Sequence, residues 1–422
     1  MEEILVSVLC ITYNHELYIR DAIEGFLSQK TNFNFEIVIH DDASDDRTVE
    51  IIKEYENRYP GLIHGIYQEK NRYQKNWPNF EWLWKIARHV CRGKYIAFCD
   101  GDDFWIDNRK LQLEADFLEM HPDYVMATHD AVVLDCRNNG LRAGNMFEED
   151  CTVKAKDIIV QNQYMYTSSM LFRKEVLQMD DFFLNVGIGD YPCLLYALSK
   201  GRIYYFARIM SVYRLFHEGS WSHSMMETDA KWGQEVLLLS FFKKYQEYTH
   251  GKYEVDIVVR MQKSILNILE SGKQFSKDEF FARLRKCEMK LASNYDFIFR
   301  ELERLWMQLY DENYIDRNIV DFAGKYQKIY IMGAGKYAGI IAKQLYNFGI
   351  SFDGFVVSND QPKQDGYYGK PVWKMERISD DCGTTGVIVG INPVIWDEII
   401  LTLSEAGIKN YICPFLIWNF HM

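Results

Sequence analysis

The amino-acid sequence predicts an α/β protein with a large N-terminal α/β domain, a helical middle region and a small C-terminal α/β domain. Over about the first 135 residues, apolar strand-like runs alternate with amphipathic stretches, as in an α/β domain with a mostly parallel sheet. From roughly Met225 to Ala323 the strand patterns stop, and apolar residues recur at helical spacing. At Lys328 the alternation of strand and helix returns.

The size and composition of the chain fit three folded domains. Its 422 residues are long for one domain, and 48% of them are hydrophobic, so each part can bury a core. We place the domains at residues 1–224, 225–323 and 324–422.

Charge and cysteine content exclude several classes of protein. The formal net charge of −12 argues against a nucleic-acid binder, which needs a basic surface to release counterions. The N-terminus lacks the basic segment of a signal peptide, and no stretch approaches the roughly 20 apolar residues of a membrane span. The nine cysteines form no Cys-x-x-Cys pair, so no zinc site or disulfide framework is indicated. We expect a cytoplasmic protein; peripheral attachment to the inner face of the membrane is an alternative that the acidic balance disfavours.

Over about the first 135 residues, apolar patterning predicts five strands and four intervening helices, and from about 150 to 222 it predicts less regular short segments around Tyr166–Arg173, Asp190–Ser199 and Ile203–Phe216. The five strands are expected near Ile4–Tyr13, Phe35–Asp42, Leu62–Gln68, Tyr95–Asp100 and Tyr124–Leu134. The helices are expected near Glu16–Gln29, Thr48–Tyr59, Phe80–Val90 and Lys110–Glu119. Ligands of open α/β sheets bind at the carboxyl ends of the strands. Polar residues that follow these strands are therefore the candidate site.

The most informative segment is an apolar strand that runs into three carboxylates, Asp100, Asp102 and Asp103. Like charges at one strand end cost stability unless a cation or hydrogen-bond donors compensate. Gly101 permits a tight turn and a close approach of ligand. The pattern indicates a metal site that neutralises phosphate groups.

A second acidic cluster, with Asp41 and Asp42, ends the second strand. An Asx turn that caps the following helix is an alternative reading of this cluster, and both roles can hold together. The first strand ends in Thr12, Tyr13, Asn14 and His15, polar groups that could surround a nucleotide.

In this order and spacing, Val6–Asn14, Glu36–Asp46 and Asp100–Asp103 resemble the motifs of family 2 glycosyltransferases with the GT-A fold. The resemblance covers about the first 220 residues. It implies an inverting enzyme that moves a sugar from a nucleotide diphosphate-sugar to an acceptor hydroxyl. The family usually has glycine where this chain has Ala43, and often valine where it has His40.

The resemblance also assigns roles to the acidic residues. Asp42, with Asp41, would meet the base of the donor nucleotide, Asp100 the ribose, and Asp102 a Mn²⁺ or Mg²⁺ ion on the pyrophosphate. The implied acceptor is a saccharide or a lipid-linked saccharide in bacterial surface-polysaccharide assembly.

Three further residues are candidates on the basis of the same resemblance. Asp190 follows a glycine-rich loop just before a helix and would act as the general base; its alternative role is a helix N-cap. His217 would bind the metal, and Arg214 would contact phosphate. A surface turn is the alternative for this segment. Thr167–Ser169 is expected to line the donor or acceptor site.

The C-terminal domain carries a glycine-rich loop between a strand and a helix, formed by Gly333 and Gly335, with Ala338 at the third position. It resembles small Rossmann-like nucleotide-binding modules, including the N-terminal domain of some sugar acetyltransferases. The second strand lacks the carboxylate at its tip that an NAD site wants. We expect a binding, docking or regulatory module for a nucleotide of unspecified kind.

Two other enzyme classes and a scaffold compete with the transferase. A nucleotide-sugar oxidoreductase would use the C-terminal loop, but the acidic residue is missing. A nucleotidyltransferase would show a glycine-rich basic loop after the first strand, where this chain has Thr12–Glu16. A non-catalytic scaffold has no need for the acidic residues Asp100–Asp103 and Asp190.

Overall fold

The computed structural model describes residues 3–416 apart from 74–78, 80, 145, 162–164, 288–294, 312, 359–365 and 379–382. The predicted fold class is confirmed, with an α/β sheet first, helices in the middle and a smaller parallel sheet at the end. The chain divides into two compact units, Met1–Leu237 and Leu238–Met422. The finer division at residues 224 and 323 stays a prediction.

The first unit is built on one mixed sheet. Its strands are β1 Ile4–Thr12, β2 Asn34–Asp41, β3 Ile63–Tyr67, β4 Tyr95–Asp100, β5 Phe104–Trp105, β6 Tyr124–Asp135, β7 Gly140–Ala143, β8 Cys151–Thr152, β9 Leu171–Arg173 and β10 Arg202–Leu215. Their order is β3-β2-β1-β4-β9-β6-β10-β5, with β7 beside β6 and β8 beside β10.

Two parallel sets of strands meet in this sheet. Strands β1 to β4 are parallel to one another, and β10 is parallel to β6. Strand β9 lies between the two sets and runs antiparallel to both β4 and β6. The sheet is therefore less parallel than the sequence predicts, because the short strands β5, β7 and β8 carry too few residues for a visible apolar pattern and the direction of β9 is not encoded locally.

Helices cover this sheet, and the predicted ones are present. They are α1 Ile19–Leu27, α2 Thr48–Arg58, α3 Glu81–His89, α4 Lys110–Met120, α5 Ala155–Ile159, α6 Asp181–Leu184, α7 Asp190–Lys200 and α8 Trp221–Ser224. In α1, the spacing of Ile19, Ile23 and Phe26 places three apolar side chains on one buried face against the β1 core. Residue 80, where the third helix was expected to begin, lies outside the described residues.

One buried histidine of β2 is expected to make this unit sensitive to acid. His40 is fully buried, its ring lies 4.8 Å from that of Trp82, and neither ring nitrogen has a partner among the described residues. Burial, with a smaller effect of Arg72, lowers the pKa of His40 to about 4. A lowered histidine pKa means that the unfolded chain takes up the proton first. Stability is therefore complete above about pH 6.5 and falls as the pH drops toward 4, by roughly 3 kcal/mol.

We expect His40→Val to remove this acid sensitivity. Urea unfolding at several pH values between 7 and 4 measures this. As the pH falls, the free energy of unfolding should decrease less in the variant than in the wild type. Two curves that stay parallel over this range would contradict the prediction.

The second unit combines helices with a five-stranded parallel sheet. Helix α9, Thr228–Tyr248, crosses the boundary between the units, and α10 Glu254–Gly272, α11 Lys277–Cys287, α12 Tyr295–Tyr310 and α13 Arg317–Ala323 follow. The strands are β11 Lys328–Met332, β12 Gly354–Val357, β13 Val372–Lys374, β14 Thr385–Val389 and β15 Tyr411–Ile412, and the helices among them are α14 Lys336–Asn347 and α15 Trp396–Glu405. The strand order is β13-β12-β11-β14-β15. Within the described ranges, no helix is long and apolar enough to cross a bilayer.

Candidate functional site

The carboxyl ends of three neighbouring strands bring the predicted residues to one edge of the large sheet. Thr12 of β1 pairs in register with Asp41 of β2, and Ile11 pairs with Asp100 of β4. Thr12 and Asp41 are buried, whereas Tyr13 is 37% exposed at the surface beyond the strand. The arrangement follows from the parallel pairing, since parallel neighbours end at the same edge.

Two histidines flank Asp102 at this edge. His217 Nε2 lies 2.6 Å from Asp102 Oδ2, and His15 Nε2 lies 4.0 Å from the same oxygen. One candidate ligand atom from each of the three residues lies within 4.8 Å of the others. The set contains two imidazoles and one carboxylate, which suits Mn²⁺ better than Mg²⁺.

The hydrogen bonds of His217 favour its use as a ligand. Its Nδ1 lies 2.9 Å from the carbonyl oxygen of Glu218, which can only accept, so Nδ1 carries a proton and Nε2 points at Asp102. Burial lowers the pKa of His217, but the hydrogen bond and charge of Asp102 outweigh it and raise the pKa. Burial raises the pKa of Asp102, and the neighbouring His15 and His217 outweigh that effect and lower it. A metal ion bound by both His217 Nε2 and Asp102 Oδ2 would replace the proton that these two atoms share.

The pKa values of three neighbouring carboxyl groups are shifted in the opposite direction to that of Asp102. Burial, followed by the charges of Asp102 and Asp190, raises the pKa of Asp100 to about 8. Burial and the charges of Asp102 and Asp100 raise the pKa of Asp103, and burial raises that of Asp190. This clustering of carboxyl groups is electrostatically unfavourable unless protons or a cation compensate it.

Three polar atoms beside Gly101 have no hydrogen-bond partner in the described part of the chain. They are Thr12 Oγ1, His15 Nδ1 and Asp103 Oδ2, and all three are buried. A Cβ atom on Gly101 would lie 2.7 Å from Thr12 Oγ1 and 3.0 Å from His15 Nδ1. Glycine is therefore required here for close approach, and buried atoms without partners are what a polar ligand or ion would satisfy.

We expect Gly101→Ala to weaken Mn²⁺ binding by about tenfold or more, because displacing His15 by a few tenths of an ångström spoils the ligand set. Electron paramagnetic resonance of free Mn²⁺ during a titration measures this directly. Gly383→Ala is the matched control, since a Cβ there meets no atom within 4 Å. Equal affinity in both variants would show that this glycine does not shape the metal site.

The loop that carries His15 is tied to the loop after β2. The backbone N–H of Asn14 donates to Ser44 Oγ (2.9 Å), that of His15 to Thr48 Oγ1 (2.8 Å), and that of Asp45 to Asn14 Oδ1 (3.0 Å). Asn14 has a φ of 55°, a conformation that asparagine tolerates better than most residues. The position of His15 is thus set by side chains that a local sequence pattern does not reveal.

The two carboxylates predicted to meet the base organise loops at the same edge. Asp41 accepts hydrogen bonds from the backbone N–H (3.0 Å) and hydroxyl of Ser44. Asp42 accepts from the backbone N–H groups of Arg72 (2.7 Å) and Tyr73 (2.9 Å). A carboxylate has about four acceptor sites, so both retain capacity for a ligand. Base recognition by these residues stays a prediction.

Arg214 supports the acidic loop. Its backbone N–H donates to Asp103 Oδ1 (2.9 Å), Nη1 donates to the carbonyl oxygen of Asp102 (2.6 Å), and Nη2 pairs with Asp21. The guanidinium places a fixed positive charge beside the carboxylates and holds their loop in one conformation. Its predicted contact with phosphate remains untested.

Two residues at the site were not among the predicted ligands or catalytic groups. His15 was expected only as a polar neighbour of the nucleotide, because nothing in the sequence links it to Asp102. Tyr213 faces the acidic cluster: burial and the charges of Asp103 and Asp102 raise its pKa, and its ring stacks on Tyr166 at 4.7 Å. In the sequence, only the alternation of side chains along the strand that became β10 could have indicated that Tyr213 faces the site.

A chain of buried polar groups connects the elements around the site. Lys110 Nζ lies 2.7 Å from Glu114 Oε2, Glu114 Oε1 lies 2.7 Å from His129 Nδ1, and His129 Nε2 lies 3.1 Å from Ser211 Oγ. Ser168 donates to Ser211 (3.3 Å). All five side chains are fully buried.

The direction of these hydrogen bonds is determined by their chemistry. Burial lowers the pKa of His129, and Glu114 can only accept when ionised, so Nδ1–H donates to Glu114 and Nε2 accepts from Ser211. The network reaches the turn Thr167–Ser169, where Trp105 Nε1 donates to the carbonyl oxygen of Ser168 (2.8 Å). A hydrogen bond from Thr167 in this turn counteracts the rise in the pKa of Asp100. The buried chain therefore leads to the acidic cluster.

The glycine-rich loop of the second unit has the backbone expected of a strand-to-helix turn. Gly333 has a φ of 103°, and a Cβ on it would lie 2.8 Å from the carbonyl oxygen of Gly390. Ala338 is fully buried, and it lies so close to Gly390 that a Cβ on Gly390 would meet the Ala338 Cα at 2.6 Å. Tyr367 donates a hydrogen bond to the carbonyl oxygen of Gly335 (2.9 Å). The close helix–strand contact that a third glycine permits is achieved here with Gly390.

Part of the first unit is similar to known proteins. Residues 7–179 match the sequence model described as Glycosyl transferase family 2. An uncharacterised protein of Mycobacterium tuberculosis is 32% identical over 229 residues, 54% of this chain and 63% of that protein. The UDP-Glc:alpha-D-GlcNAc-diphosphoundecaprenol beta-1,3-glucosyltransferase WfaP of Escherichia coli is 35% identical over 115 residues, 27% of this chain and 41% of that enzyme.

Among solved structures, S. aureus TarS 1–349 in complex with UDP-GlcNAc aligns with a TM-score of 0.49 at 16% identity, over 87% of this chain and 98% of that one. The chain spans less than two thirds of the length of the curated relatives named above.

Proposed function

We propose that the protein is an inverting, metal-dependent glycosyltransferase that moves a sugar from a nucleotide diphosphate-sugar to an acceptor hydroxyl. The observation that carries the proposal is the convergence of Asp100, Asp102 and Asp190 with His15 and His217 at one sheet edge. The family match of residues 7–179 supports it.

The donor side of the site would be divided among the strand ends. Thr12, Tyr13 and Asn14 with Asp41 and Asp42 would surround the nucleoside. Asp100 would meet the ribose, and Arg214 would supply positive charge near the phosphates. Asp102, His217 and His15 would hold Mn²⁺ or Mg²⁺, which when bound stabilises the negative charge of the leaving pyrophosphate.

On the acceptor side, Asp190 would remove the proton of the attacking hydroxyl. It begins α7 after Gly187 and Gly189, and its Oδ1 accepts the backbone N–H of Tyr191 at 2.7 Å. Burial raises its pKa, which brings the carboxylate closer to the basicity that proton abstraction needs at neutral pH. The hydroxyl then attacks the anomeric carbon and inverts it in a single displacement.

We expect Asp190→Asn to lower kcat by about a hundredfold or more, because the amide cannot accept the proton, while donor affinity stays within a fewfold. Steady-state kinetics together with donor titration measure both quantities. A variant that loses donor binding and kcat in equal measure would place Asp190 in the donor site instead.

The function is tested first by thermal shift with a panel of nucleotides and nucleotide-sugars, with and without Mn²⁺. Metal-dependent stabilisation by one nucleoside diphosphate supports the proposal and identifies the base of the donor. Stabilisation by NAD(H) alone, without metal, would instead assign the chemistry to the loop at Gly333 and Gly335 and favour an oxidoreductase.

The acceptor and the second unit complete the proposal. Surface-polysaccharide assembly is implied by the family resemblance, and the name of the E. coli relative specifies a lipid-linked sugar acceptor for that enzyme. We propose a saccharide or lipid-linked saccharide acceptor here. The loop of Gly333, Gly335 and Ala338 would bind a nucleotide in a docking or regulatory role, as its resemblance to the module of some sugar acetyltransferases implies.

A further inference from the structure

A cavity in the first unit lies at the sheet edge opposite the acidic cluster. Its volume is about 610 Å³. Arg173, the last residue of β9, lines it and pairs in register with Tyr95, the first residue of β4. Lys94, the residue before β4, also lines the cavity, whereas Asp100 lies at the opposite end of β4. Because a strand rises about 3.3 Å per residue, Lys94 and Asp100 are roughly 20 Å apart.

The lining of this basic cavity opposes the charge of the whole protein. Arg88, Lys94, Arg173 and Lys174 contribute four permanent cations, and Glu175 contributes the one carboxylate among the lining residues described. The full chain has a net charge of −12. Partly enclosed like charges repel one another and focus a positive potential, which a bound anion relieves.

Arg173 supplies charge to the basic cavity but has few hydrogen bonds to offer. Its Nε donates to the carbonyl oxygen of Tyr124 (2.7 Å), Nη1 donates to the Tyr95 hydroxyl (3.2 Å), and Nη2 donates to the carbonyl oxygen of Leu118. The guanidinium is buried and held in place. It therefore acts as a fixed positive charge in the wall.

The other cations keep donors for a ligand. Lys174 Nζ donates to the carbonyl oxygen of Cys91, and Lys94 Nζ donates to Glu119 (2.6 Å). An ammonium group has three N–H donors, so each lysine retains two. The Arg88 Nε atom is buried and has no partner among the described residues.

We propose that the basic cavity binds a phosphate-bearing anion. Converging ammonium and guanidinium donors match the several acceptor oxygens of a phosphate group, and charge-assisted hydrogen bonds to it are the strong kind. The volume exceeds that of one phosphate and leaves room for an attached group. The ligand is either a free phosphate compound or the headgroup of an anionic lipid at a membrane surface. The site is independent of the proposed transfer reaction, which would take place at the other edge of the sheet.

The test compares the wild-type chain with Arg88→Gln/Lys94→Gln in the presence of EDTA. Without a divalent ion the acidic cluster repels anions, so binding that the cavity variant loses belongs to the basic cavity and does not depend on the proposed transferase activity. Calorimetry with inorganic pyrophosphate measures the free ligand. Co-sedimentation with phosphatidylglycerol vesicles, against phosphatidylcholine vesicles, measures the headgroup.

The control is Lys85→Gln/Lys30→Gln, which removes the same charge from exposed positions outside the cavity lining. We expect the cavity variant to lose at least tenfold in affinity for pyrophosphate or for anionic vesicles, and the control to lose less than twofold. Loss for pyrophosphate identifies a free phosphate ligand, and loss for vesicles alone identifies a headgroup. Wild type that binds neither, or equal losses in both variants, would overturn the proposal.

Discussion

Asp102→Asn is expected to lower kcat/KM for sugar transfer by about 10³-fold or more, and to abolish the Mn²⁺-dependent part of nucleotide binding. The amide keeps the shape of the side chain but removes the negative charge between His15 and His217. The substitution also removes the interaction that raises the pKa of His217. We therefore expect the variant to lose affinity for the metal while it stays folded.

Thermal shift with the donor nucleotide, with and without Mn²⁺, separates the two effects for Asp102→Asn. The exposed Asp116→Asn serves as the control, because it makes the same chemical change away from the sheet edge. If the Asp102 variant kept Mn²⁺-dependent stabilisation and transfer within about threefold of the wild type, the metal would have to be held elsewhere.

Lys110→Met is expected to lower the free energy of unfolding of the first unit by about 3–5 kcal/mol. Lys110 and Glu114 are both fully buried, and Lys110 Nζ also lies 4.4 Å above the ring of Trp105. Removing the cation leaves a carboxylate in an apolar interior with one hydrogen-bonding partner fewer. The cost of that uncompensated charge exceeds the cost of deleting the pair.

The chain provides a matched control for this prediction. Glu81 and Lys85 form an ion pair of the same i,i+4 spacing at 2.9 Å, with side chains that are 43% and 55% exposed. Lys85→Met should cost less than about 0.5 kcal/mol, since solvent screens an exposed pair. The double variant Lys110→Met/Glu114→Gln should recover part of the lost stability in urea unfolding. A loss of similar size at Lys85 and Lys110 would refute the role of burial.

The sequence predicts the elements of this fold more fully than their arrangement. Helices such as Thr48–Arg58 and strands such as Tyr95–Asp100 were expected within a residue or two, because apolar periodicity reports burial directly. The reversal of Leu171–Arg173 between two parallel sets could not be anticipated. Three residues are too few for an apolar period. The direction of the strand depends on β4 and β6, which lie far away in the chain.

The same distinction applies to the candidate site. Asp100 and Asp102 could be identified because clustered carboxylates after a buried strand destabilise the fold unless a cation or hydrogen-bond donors compensate them. Asp102 and His217 were both expected at the metal, but only from the family resemblance, because their contact spans 115 residues and no local pattern encodes it. The buried chain from Lys110 to Ser211 was missed for a related reason, since its members read separately as ordinary surface residues of a helix and of a strand.

The long span between Asp102 and His217 has a consequence for synthesis of the protein. A nascent chain emerges from its N-terminus, so β1, β2 and β4 with the acidic loop are available well before β10 delivers His217. Until then the carboxylates lack both Arg214 and the imidazole of His217. The incomplete sheet edge would therefore bind a divalent ion more weakly than the complete one. Assembly of the proposed metal site would therefore be a late event in the folding of the first unit, and a chain that ends before residue 217 would lack one of its proposed ligands.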